Sequence, residues 1–342
     1  MQFIFCLLFK YGLFTINANG DQVYFSQGNL QYIGSASIPY WKFADNQWDI
    51  IGTSTGQNSD NPNIDRDLFG WSTSGYNHGA ICFQPWSISM NNGDYYAYGN
   101  YSYNLYDQTC KADWGYNSIS NGGHQENSGW RTPTREEWRY LFYTRNTASG
   151  IRYARAQVNG INGMILLPDN WSSSYYALNN TNSFTSNIIT LSEWSLLEQH
   201  GAVFLPTNVG REGTTFIFLD HLRASYWSSS YKNDSYAWVV IIDNGAMDAS
   251  GFFNRYTATS VRLIHSAQAN SNGSRFVVID GSELRLRLGP STSSDTFKWP
   301  DGTNRHPNVG DKFKYLGEKG DFFKIDFNGN EVWVSKQYTH LE

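Results

Sequence analysis

A thiol near a base is the first chemistry that the sequence offers. Cys110, in TCKADWGYN, precedes His124, in NGGHQ. A thiolate acts as a nucleophile only when a base and a shaped turn orient it, and neither flank has a strand-to-helix pattern. His78, His200, His221 and His265 are scattered singly, and lone histidines are more often structural than ligands. NSDNPNIDRD, at 58–67, is rich in hard oxygens and is where structural calcium comes into question. Asn and Asp also shape tight turns without any metal, so no cofactor is expected. Cys82 and Cys110 could pair in an oxidising compartment or remain buried thiols.

The stretch that must position a binding surface is SYWSSSYKNDSYAWVVIIDNGAMDASGFFNRYTATSVRLI, at 225–264. Its run Ala237 to Ile242 reads as a strand turning at Asp243-Asn244-Gly245 into a hairpin. Alternation places Trp238, Val240 and Ile242 on one face and Val239, Ile241 and Asp243 on the other. Apolar groups on both faces fit a central strand covered on both sides, or a strand with one core face and one presented face.

The chain has 342 residues, enough for two domains. Charged residues make up 16%, against about 25% in an ordinary soluble domain, while Trp, Tyr and Phe reach 17%. Short strands, many loops and an aromatic surface suit that composition, and a helical bundle does not. A net charge of -5 without dense basic clusters argues against a nucleic-acid partner. The opening MQFIFCLLFK is too short to span a bilayer and reads as a signal remnant or a misplaced start, from which export is inferred.

A first hairpin follows, turning at Ala-Asn-Gly-Asp, with Trp41 and Trp48 as core candidates further on. From 53 to 129 the chain lacks helical periodicity, and Trp71, Trp86 and Trp114 are expected to pin the loops. Thr134-x-x-Glu137 is a capping box, with Trp138, Leu141 and Phe142 on one helical face. A strand through MILL ends at Pro168, and a second helix is expected from Ser192 to His200, closed by Gly201. A linker at 267–274 separates 11–266 from a strand-rich unit at 275–342.

GWRTPTREEWRYLF, YWSSS and SVRLI resemble the C-type-lectin-like fold of sulfatase-modifying-factor domains, of gut Bacteroides-type surface proteins and of the variable proteins of diversity-generating retroelements. VYFSQGNLQY, DLFGW and ILLPDNW look like further pieces of that bacterial group. The terminal ELRLRLGPSTSS and the run to WVSKQYTHL resemble a bacterial SH3 domain, with KWPDGTNRHPN as an insertion. The resemblance implies an α+β class: two helices, a small antiparallel sheet and long ordered loops, followed by an all-β SH3-like barrel. Copper-binding relatives use a cysteine pair in the C-terminal half, and this chain has no cysteine after Cys110. Calcium-binding lectins use Glu-Pro-Asn or Gln-Pro-Asp, where Gln84-Pro85-Trp86 lacks the third oxygen.

The reading is therefore of a non-catalytic extracellular or cell-surface binding protein, neither membrane-spanning nor nucleic-acid-binding. Its expected ligand is a protein or glycan on another cell or phage surface, with cell-wall or peptide docking through the SH3-like unit. The alternative is an enzyme of the sulfatase-modifying type or a wall hydrolase. By resemblance Val261 and Arg262 are framework and Trp238 points inward. Val239, Ile241 and Asp243 then face outward, bordered by Tyr231, Asn233 and Tyr236 before the strand. Ala246, Asp248, Ser250, Phe252, Phe253 and Tyr256 complete the face from beyond it.

Overall fold

The computed structural model describes residues 12–76, 83–123, 125–267, 276–298, 303, 306–327 and 330–341. The chain forms two compact units, Met1–Gln268 and Ala269–Glu342. The leader-like segment at 1–10, His78, His124 and Cys82 lie outside the described residues, as does the expected linker from 268 onward.

In the first unit, the strand Gln22–Phe25 pairs with Phe14–Thr15 on one side and with Ile264–Ser266 on the other. Trp130–Arg131 completes that sheet, so the two ends of the unit are zipped together. Asn17 shapes the first turn, its side-chain oxygen accepting from the Asn19 and Asp21 amides. A second sheet runs in the order Ile188–Ile189, Tyr153–Val158, Ile161–Leu166, Val203–Pro206. A three-stranded antiparallel sheet, Arg223–Tyr231, Tyr236–Asp243 and Met247–Asn254, carries the stretch singled out above.

Among the described residues there are two α-helices. Helix α1, Arg135–Arg139, starts from a capping box in which Thr134 accepts from the Glu137 amide and the Glu137 carboxylate accepts from the Thr134 amide. It widens into a π-turn at Tyr140–Thr144, and Trp138, Leu141 and Phe142 enter one core with Val240 and Ile242. Helix α2, Leu191–Gln199, begins earlier than the Ser192 start expected, because Thr190 and Glu193 form a second capping box. Gly201, at φ 85°, closes it.

The long loops are held from inside. Trp71 and Trp114 are fully buried, whereas Trp86 and Trp48 are only partly so. Buried arginines bind main-chain carbonyls: Arg66 those of Gln57, Ser59 and Asn61, and Arg211 those of Gly213 and Ser87. Burial pulls the Arg66 guanidinium down to about 10, with Arg211 adding to the effect. Arg262, fully buried as framework, donates to Gln47 at 2.7 Å.

The second unit holds one antiparallel sheet, in the order Asn330–Ser335, Phe322–Phe327, Lys312–Lys319, Phe276–Ile279, Thr339–Leu341. Val277, Ile279, Ile325 and Val332 lie in its core.

The expected α+β fold is corrected in part: its two helices are roughly matched, but the one small sheet and the C-terminal barrel are not. The regular structure of the first unit is mostly β-strand, in several small separate sheets, and its described α-helices are five and nine residues long. Turn-forming Asn, Gly, Ser and Asp cut the strands short before one sheet can grow. In the second unit the outermost strands, Asn330–Ser335 and Thr339–Leu341, do not pair with each other, so no barrel closes among the described residues. No helix among those residues is long and apolar enough to cross a membrane.

Candidate functional site

Tyr236–Asp243 is the central strand of the three-stranded sheet, hydrogen-bonded to a neighbour along each edge. Its hairpin turn closes by the Asp243 amide donating to the Ala246 carbonyl at 2.9 Å. Both pairings contain bulges, one between Trp227 and Tyr231 and one between Val239 and Ile241. A bulge turns the strand more sharply and re-aims its side chains.

The central strand is covered on both faces for most of its length. Val240 and Ile242 pack with Trp138 and Phe142, while Ala237 and Val239 pack with Phe69, Trp114 and Trp227. Val239, expected outward, is 1% exposed. Trp238, expected inward, is half-buried. Helix α1 covers the Val240 and Ile242 part of that face, and its first residue, Arg135, reaches over the Trp238 ring at 4.1 Å.

The other expected contact residues fall into three sets. Ile241, Phe253 and Tyr231 pack partly on the core that holds Val239, with Phe253 stacked on Phe218 at 5.9 Å. Tyr256 packs on Phe83 and Tyr95. Asp243 is engaged by Arg223 through both oxygens, at 2.6 and 3.1 Å, so it is a structural carboxylate. The Asn233 side chain shapes its own turn by accepting from the Ser235 and Tyr236 amides. Ala246, Asp248 and Phe252 are exposed, and the Ser250 hydroxyl accepts from Arg139.

What the structure brings together is a strip of rings and cations. Tyr236 meets Phe252 edge-on at 5.1 Å, and Phe252 meets Trp238 at 6.3 Å. The Lys232 amine lies 4.3 Å from the Phe252 ring centre and 5.1 Å from that of Trp238. Arg139 extends the strip through Ser250 towards Tyr143, which is 44% exposed. Lys232, Arg135, Arg139 and Tyr143 were missed by sequence reasoning. Only Lys232 lies within the stretch; the others come from α1 and the turn after it.

Loops join the far end. The Asn104 side chain accepts from the Tyr231 amide at 3.1 Å, and Asn92 accepts from the Arg255 amide at 2.9 Å. Arg255 is buried against Trp71 and Tyr96, at 4.6 and 4.9 Å, and donates to the carbonyls of Tyr101 and Asn233. Burial brings its guanidinium down to about 10.

The residues considered for catalysis sit elsewhere. The Cys110 thiol is exposed and donates to the Tyr106 carbonyl, and partial burial, Asp113 and Asp107 push its pKa up, away from a reactive thiolate. His265 stacks on Tyr24 at 5.0 Å, and His200 on Tyr175 at 3.8 Å. In the oxygen-rich loop, Asp67 is buried and accepts from Gln57, Asn208 and the Ile51 amide. Among the described residues, no three His, Cys, Asp or Glu gather as a metal-ligand group. In comparisons with known proteins, no family model matches the chain, and no curated protein matches it.

Proposed function

We propose that this chain is a non-catalytic binding protein of the cell surface or extracellular space. It takes a protein partner bearing acidic and aromatic groups on the strip Lys232, Tyr236, Trp238 and Phe252. The observation that carries this reading is Phe252, 46% exposed, with the Lys232 amine held 4.3 Å from its ring centre. An exposed ring beside cations offers an apolar anchor and a charge to the same ligand. Arg135 and Arg139 are each paired with Glu136, whereas Lys232 has no ion pair among the described residues and makes an acidic group the favoured complement. The motif resemblance of 225–264 to variable ligand-presenting proteins points the same way.

The test is binding of fluorescently labelled protein to intact bacterial cells, comparing wild type with Phe252→Ala and Lys232→Ala. Binding by the wild type should saturate, and each variant should lose about 1 to 3 kcal/mol of affinity with an unchanged melting temperature. Variants that bind as well as the wild type would sink the assignment of the strip.

A further inference from the structure

A cleft of about 360 Å³ opens in the first unit and shares no residue with the strip. Part of its lining comes from the paired strands Leu30–Ile33 and Tyr40–Phe43. There Tyr32 meets Trp41 edge-on at 5.1 Å and Trp86 at 5.9 Å. Loop residues supply the rest, with the Lys111 amine standing 5.5 Å from the Tyr76 ring centre and 5.4 Å from that of Tyr116.

The polar lining is largely unengaged. Among the described residues, the Trp86 indole N–H, the Gln84 amide, the Tyr116 hydroxyl and the Glu126 carboxylate have no hydrogen-bond partner. Asn117 donates its amide hydrogens to the Ser74 and Trp114 carbonyls, which leaves its Oδ1 free to accept. The Lys111 amine has no ion pair among those residues. Donors and acceptors therefore converge on one concavity whose walls are aromatic.

We propose that this cleft is a saccharide site for a neutral pyranose. The negative faces of Trp and Tyr rings attract the polarised C–H groups of a sugar ring. Each sugar hydroxyl both donates and accepts, and so satisfies Lys111 and Trp86 as readily as Asn117 and Glu126. A cationic ligand meets Lys111 and an anionic one meets Glu126. An apolar ligand would strip water from six polar groups and give them nothing in return. The volume lies at the small end of the range of about 300 to 1,000 Å³ for ligand pockets, which suits a short sugar.

The experiment titrates the full chain with glucose, galactose, mannose and N-acetylglucosamine, and with maltotriose, cellotriose and chitotriose. Tryptophan fluorescence and calorimetry are the readouts, and choline and glucuronic acid serve as charged probes. At least one neutral sugar should bind saturably, and Trp86→Ala and Lys111→Ala should each weaken it tenfold or more. Phe252→Ala should leave sugar binding unchanged, so failure of the strip and failure of the cleft remain separate results. Tighter binding of a trisaccharide than of its monomer would assign a glycan chain, and equal binding a single free sugar. Gln84→Ala replaces Trp86→Ala if circular dichroism shows that variant misfolded. Absence of saturation by every neutral sugar, tighter binding of either charged probe, or binding that survives both cleft substitutions would overturn the proposal.

Discussion

The Arg135 guanidinium lies 4.1 Å from the centre of the Trp238 ring, and this contact joins the first turn of α1 to the exposed strip. The Arg135 amide also donates to the Ser230 hydroxyl at 3.1 Å, so the helix start is tied to the end of the neighbouring strand. A cation over an indole contributes about 0.5 to 1 kcal/mol at a partly solvated site. Trp238 is thus a platform held from one side, and it does not fill a core.

Trp238→Ala should accordingly cost about 1 to 2 kcal/mol of stability. Trp138→Ala removes a fully buried ring packed on Phe25, Phe142 and Tyr226 and should cost about 3 to 5 kcal/mol. Urea unfolding of the two variants measures the difference. Equal losses would mean that Trp238 is core after all.

Arg255→Lys should destabilise by about 2 to 4 kcal/mol despite keeping the charge. An ammonium lacks the flat surface that rests against Trp71 and Tyr96. Thermal unfolding checks this, and a melting temperature equal to wild type would count against the stacking.

Burial raises the Asp113 carboxyl above its ordinary value, while hydrogen bonds from Gly115 and Thr132 work against the rise. The folded chain therefore keeps a proton there over a range in which the unfolded chain has lost it. The stability that this group contributes falls as pH rises from about 4 through the raised folded value. Asp113→Asn keeps an acceptor oxygen for Gly115 and Thr132 and does not titrate. Wild type minus variant stability, from urea unfolding at stepwise pH, should decline across that window, and a flat difference would contradict it.

The two units have separate cores, with Val277, Ile325 and Val334 contributing only to the second. Limited proteolysis should first release a fragment ending near Gln268, and each fragment should keep its own cooperative unfolding transition. A single transition lost on cleavage would show that the units depend on each other.

Local signals were legible in the sequence. Thr134 and Glu137 marked α1, and Asp243 to Gly245 marked the hairpin, because capping and turn chemistry depend on neighbours in the chain. Alternation put Trp238 and Val239 on opposite faces, as found, but could not say which was covered. That depends on where α1 starts and on which loop rings pack against Val239, both set by residues far away in sequence. Thr190 was overlooked as the cap of α2 although its partner Glu193 follows at the same spacing. Lys232 lies within the stretch but carries no periodic or turn signal that would single it out. The cleft was invisible, since Tyr32, Lys111 and Trp86 share neither a period nor a motif.

The loops around the strip are fastened by arginine to main-chain oxygens, as Arg255 does at Tyr101 and Asn233. Every residue type carries that oxygen, so the fastening reads no side-chain identity at the positions it grips. The exposed side chain at 101 can therefore be exchanged without removing its oxygen from Arg255, whereas Asn233 is also bound to the turn that its own side chain shapes, so the surface is free to diverge at one grip and not at the other.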